Sequence, residues 1–132
     1  MKPFRIPAGN DTPEVIFNPE KDHFNISGIC HPEDIKEFFI PIFNWLDEYY
    51  EEIKGQSNKK LTFNFYYVYL NSASIRHLYD LLKRLMEFKN SGIEIEIIWN
   101  YAEDDEDMMD VGVELSELKG IHLPFKYVPR EV

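Results

Sequence analysis

Cysteine is almost missing: Cys30 is the single thiol in 132 residues. One thiol cannot close an internal disulfide, and it excludes any multi-cysteine metal site. Glycine is scarce as well, with six in all. Neither a G-x-G-x-x-G nor a G-x-x-x-x-G-K-[ST] loop occurs, so nucleotide binding has no local signature. Positive charge is in short supply, since 14 Lys and Arg face 24 Asp and Glu for a net charge of −10. A chain of that sign repels nucleic acid and anionic lipid, which argues against both as main partners. No stretch approaches the ~20 apolar residues of a membrane span, and the first ten residues lack the apolar core of a secretion signal.

What is present is an ordinary globular composition, 44% hydrophobic, 15% aromatic and 29% charged. A chain of this length defaults to one domain, here residues 1–132, with a core large enough to need no disulfide or metal. The expectation is a soluble, acidic, cytoplasmic single domain.

Local pattern gives the element order. Residues 1–12, with Pro3, Pro7, Gly9 and Asn10, read as an extended lead-in. Glu14–Asn18 is a short strand, Asn18 to Asp22 turns, and His23–Ile29 alternates Phe24 and Ile26 against Asn25 and Ser27, which completes a hairpin. Pro32, Glu33 and Asp34 open a helix whose apolar stripe is Ile35, Phe38, Phe39, Ile42, Trp45, Leu46 and Tyr49. Pro41 lies inside that stripe and is expected to kink or divide the helix.

Lys60–Leu70 is the strongest strand. It places Leu61, Phe63, Phe65, Tyr67 and Tyr69 on one face, with Thr62, Asn64, Tyr66 and Val68 on the other. Asn71–Ser74 is a cluster of capping residues before a second helix carrying Ile75, Leu78, Leu82, Leu85 and Met86. After Asn90-Ser91-Gly92, a strand sets Ile93, Ile95, Ile97 and Trp99 against Glu94, Glu96 and Asn100. A third helix, Asp104 to Lys119, turns Met108, Val111, Leu115 and Leu118 inward, Gly120 stops it, and Pro124–Val128 is a last strand. The order ββαβαβαβ predicts an α/β fold: a mixed sheet of about five strands, mainly parallel, with an antiparallel hairpin edge and helices chiefly on one face.

Chemistry is sparse. His23, His31, His77 and His122 never fall at metal-ligand spacing. His31 beside Cys30 reads as a loop imidazole next to a strand-end thiol, because adjacent residues rarely face each other. The acids Glu103 to Asp107 with Asp110 fail the calcium-loop pattern and suit a helix N-terminus, whose dipole favours negative charge. No catalytic residue, metal ligand or cofactor site is assigned. The aromatic strand lacks the basic stripe an RNA platform needs. The segment Tyr69-Leu70-Asn71-Ser72-Ala73-Ser74 is different, because it runs from the end of the strongest strand into a helix N-terminus, the usual functional edge of an open α/β sheet. A serine there is either a cap or a phosphoacceptor. A phosphate would suit the helix end and repel an apolar or anionic partner.

The ordered set Thr12-Pro13-Glu14-Val15, Ser27-Gly28, Pro32-Glu33, Phe38-Phe39, Pro41-Ile42, Trp45, Tyr69 to Ile75, Trp99-Asn100-Tyr101 and Leu123-Pro124-Phe125 resembles the SiaC family of bacterial regulatory phosphoproteins. The resemblance implies a STAS-like fold, that of anti-sigma factor antagonists. It also implies phosphorylation at the strand-to-helix turn by a partner protein Ser/Thr kinase, reversed by a PP2C-type phosphatase. The unphosphorylated form would bind and activate a diguanylate cyclase, promoting cyclic-di-GMP synthesis and aggregation or biofilm formation. By position the acceptor is Ser72, where the family often has Thr, with Ser74 as runner-up. Ala73 stands where the family often has a second hydroxyl, and His31 replaces a more usual Tyr. Asn71, Ser72, Ala73, Ser74 and Arg76 are then the partner-binding candidates. An anti-sigma factor antagonist acting on a sigma factor is the alternative, and a small enzyme or metal-binding protein using the Glu103–Asp110 acids is a third reading.

Overall fold

A computed structural model describes all residues 1–132. Six strands form one sheet in sequential order: β1 (Phe4–Ile6), β2 (Glu14–Asn18), β3 (His23–Cys30), β4 (Lys60–Leu70), β5 (Glu94–Ala102) and β6 (Phe125–Arg130). β1, β2 and β3 pair antiparallel, whereas β3 through β6 pair parallel. Each parallel step is made by one helix: α1 (Ile35–Ile53), α2 (Ser72–Asn90) and α3 (Glu106–Ser116). The mixed α/β sheet and its one-sided helix layer follow the sequence pattern.

The sheet has six strands rather than five. The extra one lies in the stretch expected to be a lead-in, where Phe4, Arg5 and Ile6 pair with Phe17, Ile16 and Val15. Three residues between Pro3 and Pro7 give no readable alternation. Tertiary contacts hold them instead: the Phe4 ring lies 6.1 Å from Phe17 and 6.3 Å from Trp45, and Trp45 Nε1 donates to the Lys2 carbonyl at 3.0 Å.

The buried faces explain the layering. Val15, Phe17, Phe24, Ile26, Leu61, Phe63, Phe65, Tyr67, Ile95, Ile97 and Trp99 all lie within one core with Phe39, Ile42, Leu46, Leu78, Leu82 and Leu85 of the helices. The opposite sheet face carries Asn25, Ser27, Thr62, Asn64, Tyr66 and Glu96, all half-buried. Polar alternation therefore marks the uncovered side.

Three local expectations are corrected. Of the kink or division expected at Pro41, the division does not occur, and α1 runs as one helix through that residue. The proline removes one amide, but Glu37, Ile40, Pro41 and Asn44 are all exposed, so the carbonyl it would have bonded lies on the solvent side. That helix begins at Ile35, not Pro32, because Asp34 is the cap and accepts from the Glu37 amide at 3.0 Å. α3 is shorter than Asp104–Lys119, since Asp105 caps it and it ends at Ser116.

Candidate functional site

The parallel crossovers bring the N-termini of α1, α2 and α3 to the edge where β3, β4 and β5 end. β4 passes into α2 through one residue, Asn71, which is the N-cap. Its side-chain oxygen accepts from the Ser74 amide at 2.8 Å, and its backbone amide donates to the Cys30 carbonyl at 3.3 Å. Ser72 is therefore the first helical residue. It is exposed, as is Ala73.

Ser74 points the other way. It is fully buried, and its hydroxyl donates to the Cys30 carbonyl at 2.9 Å. The Cys30 carbonyl thus takes two hydrogen bonds from the turn, which fixes the start of α2 to the end of β3. Burial pushes the Cys30 thiol up from its ordinary value, partly offset by a hydrogen bond with Ser74. His31 is exposed on the other side of the chain, 3.3 Å from Asp11 Oδ1 and edge-on to Tyr69. Cys30 and His31 do not face each other.

Beside Ser72 lies an apolar patch that sequence alternation missed. Tyr69, expected to face the core, is 50% exposed, Val68 is 65% and Ile29 is 37%. The cause is a slip in register: Gly28 pairs with Tyr67, but Ile29 pairs with Tyr69, so β4 carries one extra residue. Such a bulge bends the strand and re-aims the side chains beyond it. The signal for it was Gly28 inside a strand pattern, here at φ 120°.

Arg76 is exposed one turn into α2. His77, beside it, donates from Nδ1 to the Ala73 carbonyl at 2.9 Å and stacks on Phe39 and Phe43. The acidic run is spent differently: Asp105 Oδ1 accepts from the Met108 amide at 3.1 Å, and the neighbouring carboxylates are mostly exposed. No three His, Cys, Asp or Glu side chains converge on a point that could hold an ion. The largest hollow, about 500 Å³ on the outside of α1 and α2, is walled by Asp47, Glu51, Asp80, Lys83, Arg84 and Glu87 around Tyr50. Ligand pockets are mainly apolar, and this groove sits two or more turns down α2 from Ser72. No helix is long and apolar enough to cross a membrane.

The geometry is that of a small mixed α/β module with an exposed serine at the start of α2, exposed apolar side chains at the adjoining strand ends and its helices on one face of the sheet. The family model for the SiaC family regulatory phosphoprotein matches residues 6–130, and the chain belongs to that family. An uncharacterized protein of Pseudomonas aeruginosa is 25% identical over 117 residues, which is 89% of this chain and 90% of that one. Two solved structures share the fold at 23% identity and a TM-score of 0.82. Apo-SiaC from P. aeruginosa is matched over 97% of this chain and 99% of its own. SiaC in complex with the diguanylate cyclase SiaD, which it activates, is matched over 96% of this chain and 99% of its own.

Proposed function

We propose that this protein is a non-catalytic signalling switch whose unphosphorylated form docks on and activates a diguanylate cyclase, and that phosphorylation of Ser72 releases it. The observation that carries the reading is the exposed Ser72 hydroxyl at the start of α2, next to exposed Ile29, Val68 and Tyr69. The same fold is seen in SiaC bound to its cyclase SiaD, which supports that partner class over an anti-sigma target.

In the forward step a Ser/Thr kinase transfers the γ-phosphoryl of ATP to Ser72 Oγ. The Oγ–P bond forms as the bond to ADP breaks, and the hydroxyl proton passes to a base on the kinase. A PP2C-type phosphatase returns the serine with water, releasing inorganic phosphate. A new dianion of about two charges beside an apolar patch raises the desolvation cost of docking there and repels acidic partner groups. Ser74 supports no such role, because its hydroxyl is enclosed and already bonded. Both converting enzymes and the cyclase domain act in the cytoplasm on this reading.

The test has two parts. Incubation with the kinase encoded beside the gene and with ATP should add one phosphoryl group, mapped by mass spectrometry to Ser72. Affinity for the neighbouring cyclase should be kept by Ser72→Ala and lowered about tenfold or more by the phosphoryl group, which corresponds to roughly 1.4 kcal/mol. An unmodified Ser72, or equal cyclase binding by both forms, defeats the proposal.

A further inference from the structure

The chain has four arginines, and three are engaged. Arg5 pairs with Glu14 at 3.3 Å. Arg84 pairs with Asp47 at 3.1 Å and lies 4.0 Å over the Phe43 ring. Arg130 Nε donates to Asn100 Oδ1 at 2.8 Å. Arg76 alone has no ion pair, hydrogen bond or ring contact, although acids outnumber bases 24 to 14 in this chain.

Its position gives that freedom a use. Arg76 is four residues after Ser72 on α2, and i, i+4 side chains lie about 5–6 Å apart at Cβ, on one helix face. The surroundings leave that pairing uncontested. α2 has no acidic residue in its first turn. Asp80, the next carboxylate at i+4 from Arg76, faces Lys83 at 3.8 Å. His77 is tied to the Ala73 carbonyl.

Resting on the phosphorylation reading above, we infer that Arg76 is the internal clasp for the phosphoryl group of Ser72. The guanidinium closes on the phosphate oxygens with charge-assisted, bidentate hydrogen bonds. The amides of Ser72 and Ala73, which have no intrahelical acceptor, add to the same anion. Phosphorylation then changes two things at the docking edge: it adds an anion, and it folds away a cation that the unphosphorylated protein offers to a partner carboxylate. A further consequence is that Ser72→Asp is a weak mimic, because one short carboxylate carries half the charge and cannot draw the guanidinium in from position 76 as well as a phosphate does.

The clasp can be read without kinase or cyclase. Phosphoserine is installed at position 72 of the full chain by genetic encoding, and the ³¹P resonance is titrated in the parent, Arg76→Gln and Arg76→Lys proteins. The clasp lowers the second phosphate pKa of the parent relative to Arg76→Gln by about 0.5 unit, roughly threefold in proton affinity, with Arg76→Lys between them. The gap narrows in 0.5 M salt, because the pair is exposed. In thermal melts, Arg76→Gln shifts the midpoint of the phosphorylated protein more than that of the unphosphorylated one, which a purely structural arginine would not do. Equal pKa values in the three proteins would overturn the clasp and assign any common shift to the helix end. That result would leave phosphorylation standing, whereas a kinase that ignores Ser72 defeats the switch and leaves the titration unaffected.

Discussion

Ser72 and Ser74 are two positions apart, yet one hydroxyl faces water and the other has no exposed surface. The difference arises from the hundred-degree step between helix residues, which turns Ser74 toward the Cys30 carbonyl 44 residues away in the chain. The two serines should therefore respond oppositely to alanine. Ser74→Ala removes a buried hydrogen bond and should cost about 1 kcal/mol. Ser72→Ala removes nothing but an exposed hydroxyl and should stay within about 0.5 kcal/mol of the parent. Urea unfolding of the two variants measures both. A Ser72→Ala loss as large as that of Ser74→Ala would show that Ser72 also has a structural duty.

Among the elements, α3 packs tightly on the sheet where Gly112 faces Trp99. A Cβ added at Gly112 would lie 2.5 Å from Trp99 Cδ1. The ring cannot yield freely, since Trp99 is buried and its Nε1 donates to the Met108 carbonyl at 2.9 Å. Gly112→Ala adds about 1 kcal/mol of helix propensity in favour. Overpacking costs about 1–3 kcal/mol. The clash should win or at best be matched, giving a net loss of up to about 2 kcal/mol with a shift in tryptophan emission, both measurable in one fluorescence-monitored melt. The bulge between β3 and β4 belongs to the same scale. Gly28 adopts φ 120°, and only 3.5 Å separates a hypothetical Cβ from the Pro13 backbone, so a substitution there is opposed by conformation rather than by space. Without that bulge Tyr69 would continue the inward alternation, and the patch beside Ser72 would lose its largest member.

For the whole molecule, the aromatic core sets the response to alkali. Tyr49 and Tyr67 have buried hydroxyls without a hydrogen-bond partner. Burial, reinforced by Asp22 and Glu52, pushes Tyr49 up to about 12, and burial raises Tyr67 well above the ordinary tyrosine value. A raised phenol pKa means that the native state keeps its proton where the unfolded chain, at about 10, gives it up. The stability these groups contribute is complete below pH 10 and falls as pH rises toward 12. The slope is about 1.4 kcal/mol per pH unit for each such tyrosine. Tyr49→Phe should flatten that decline in urea melts between pH 9 and 11.5, and an unchanged slope would contradict it.

At that same scale, the sequence by itself determined the element order, the sheet face that receives the helices and the surplus of negative charge. These are local or additive properties: strand alternation, helical spacing and a count of charges each need only neighbouring residues or a sum. It also located Asn71 to Ser74, because capping residues after a strong strand are a local signal. Tertiary structure decided the rest. It added β1, whose three residues are held by Phe17 and Trp45 rather than by their own pattern. It carried α1 through Pro41 by placing the gap on the solvent side. It exposed Ser72 while enclosing Ser74, turned Tyr69 outward and left Arg76 unpaired. Each of those outcomes depends on what a distant segment brings to the same place, and accessibility is a property of the packed chain rather than of any window along it.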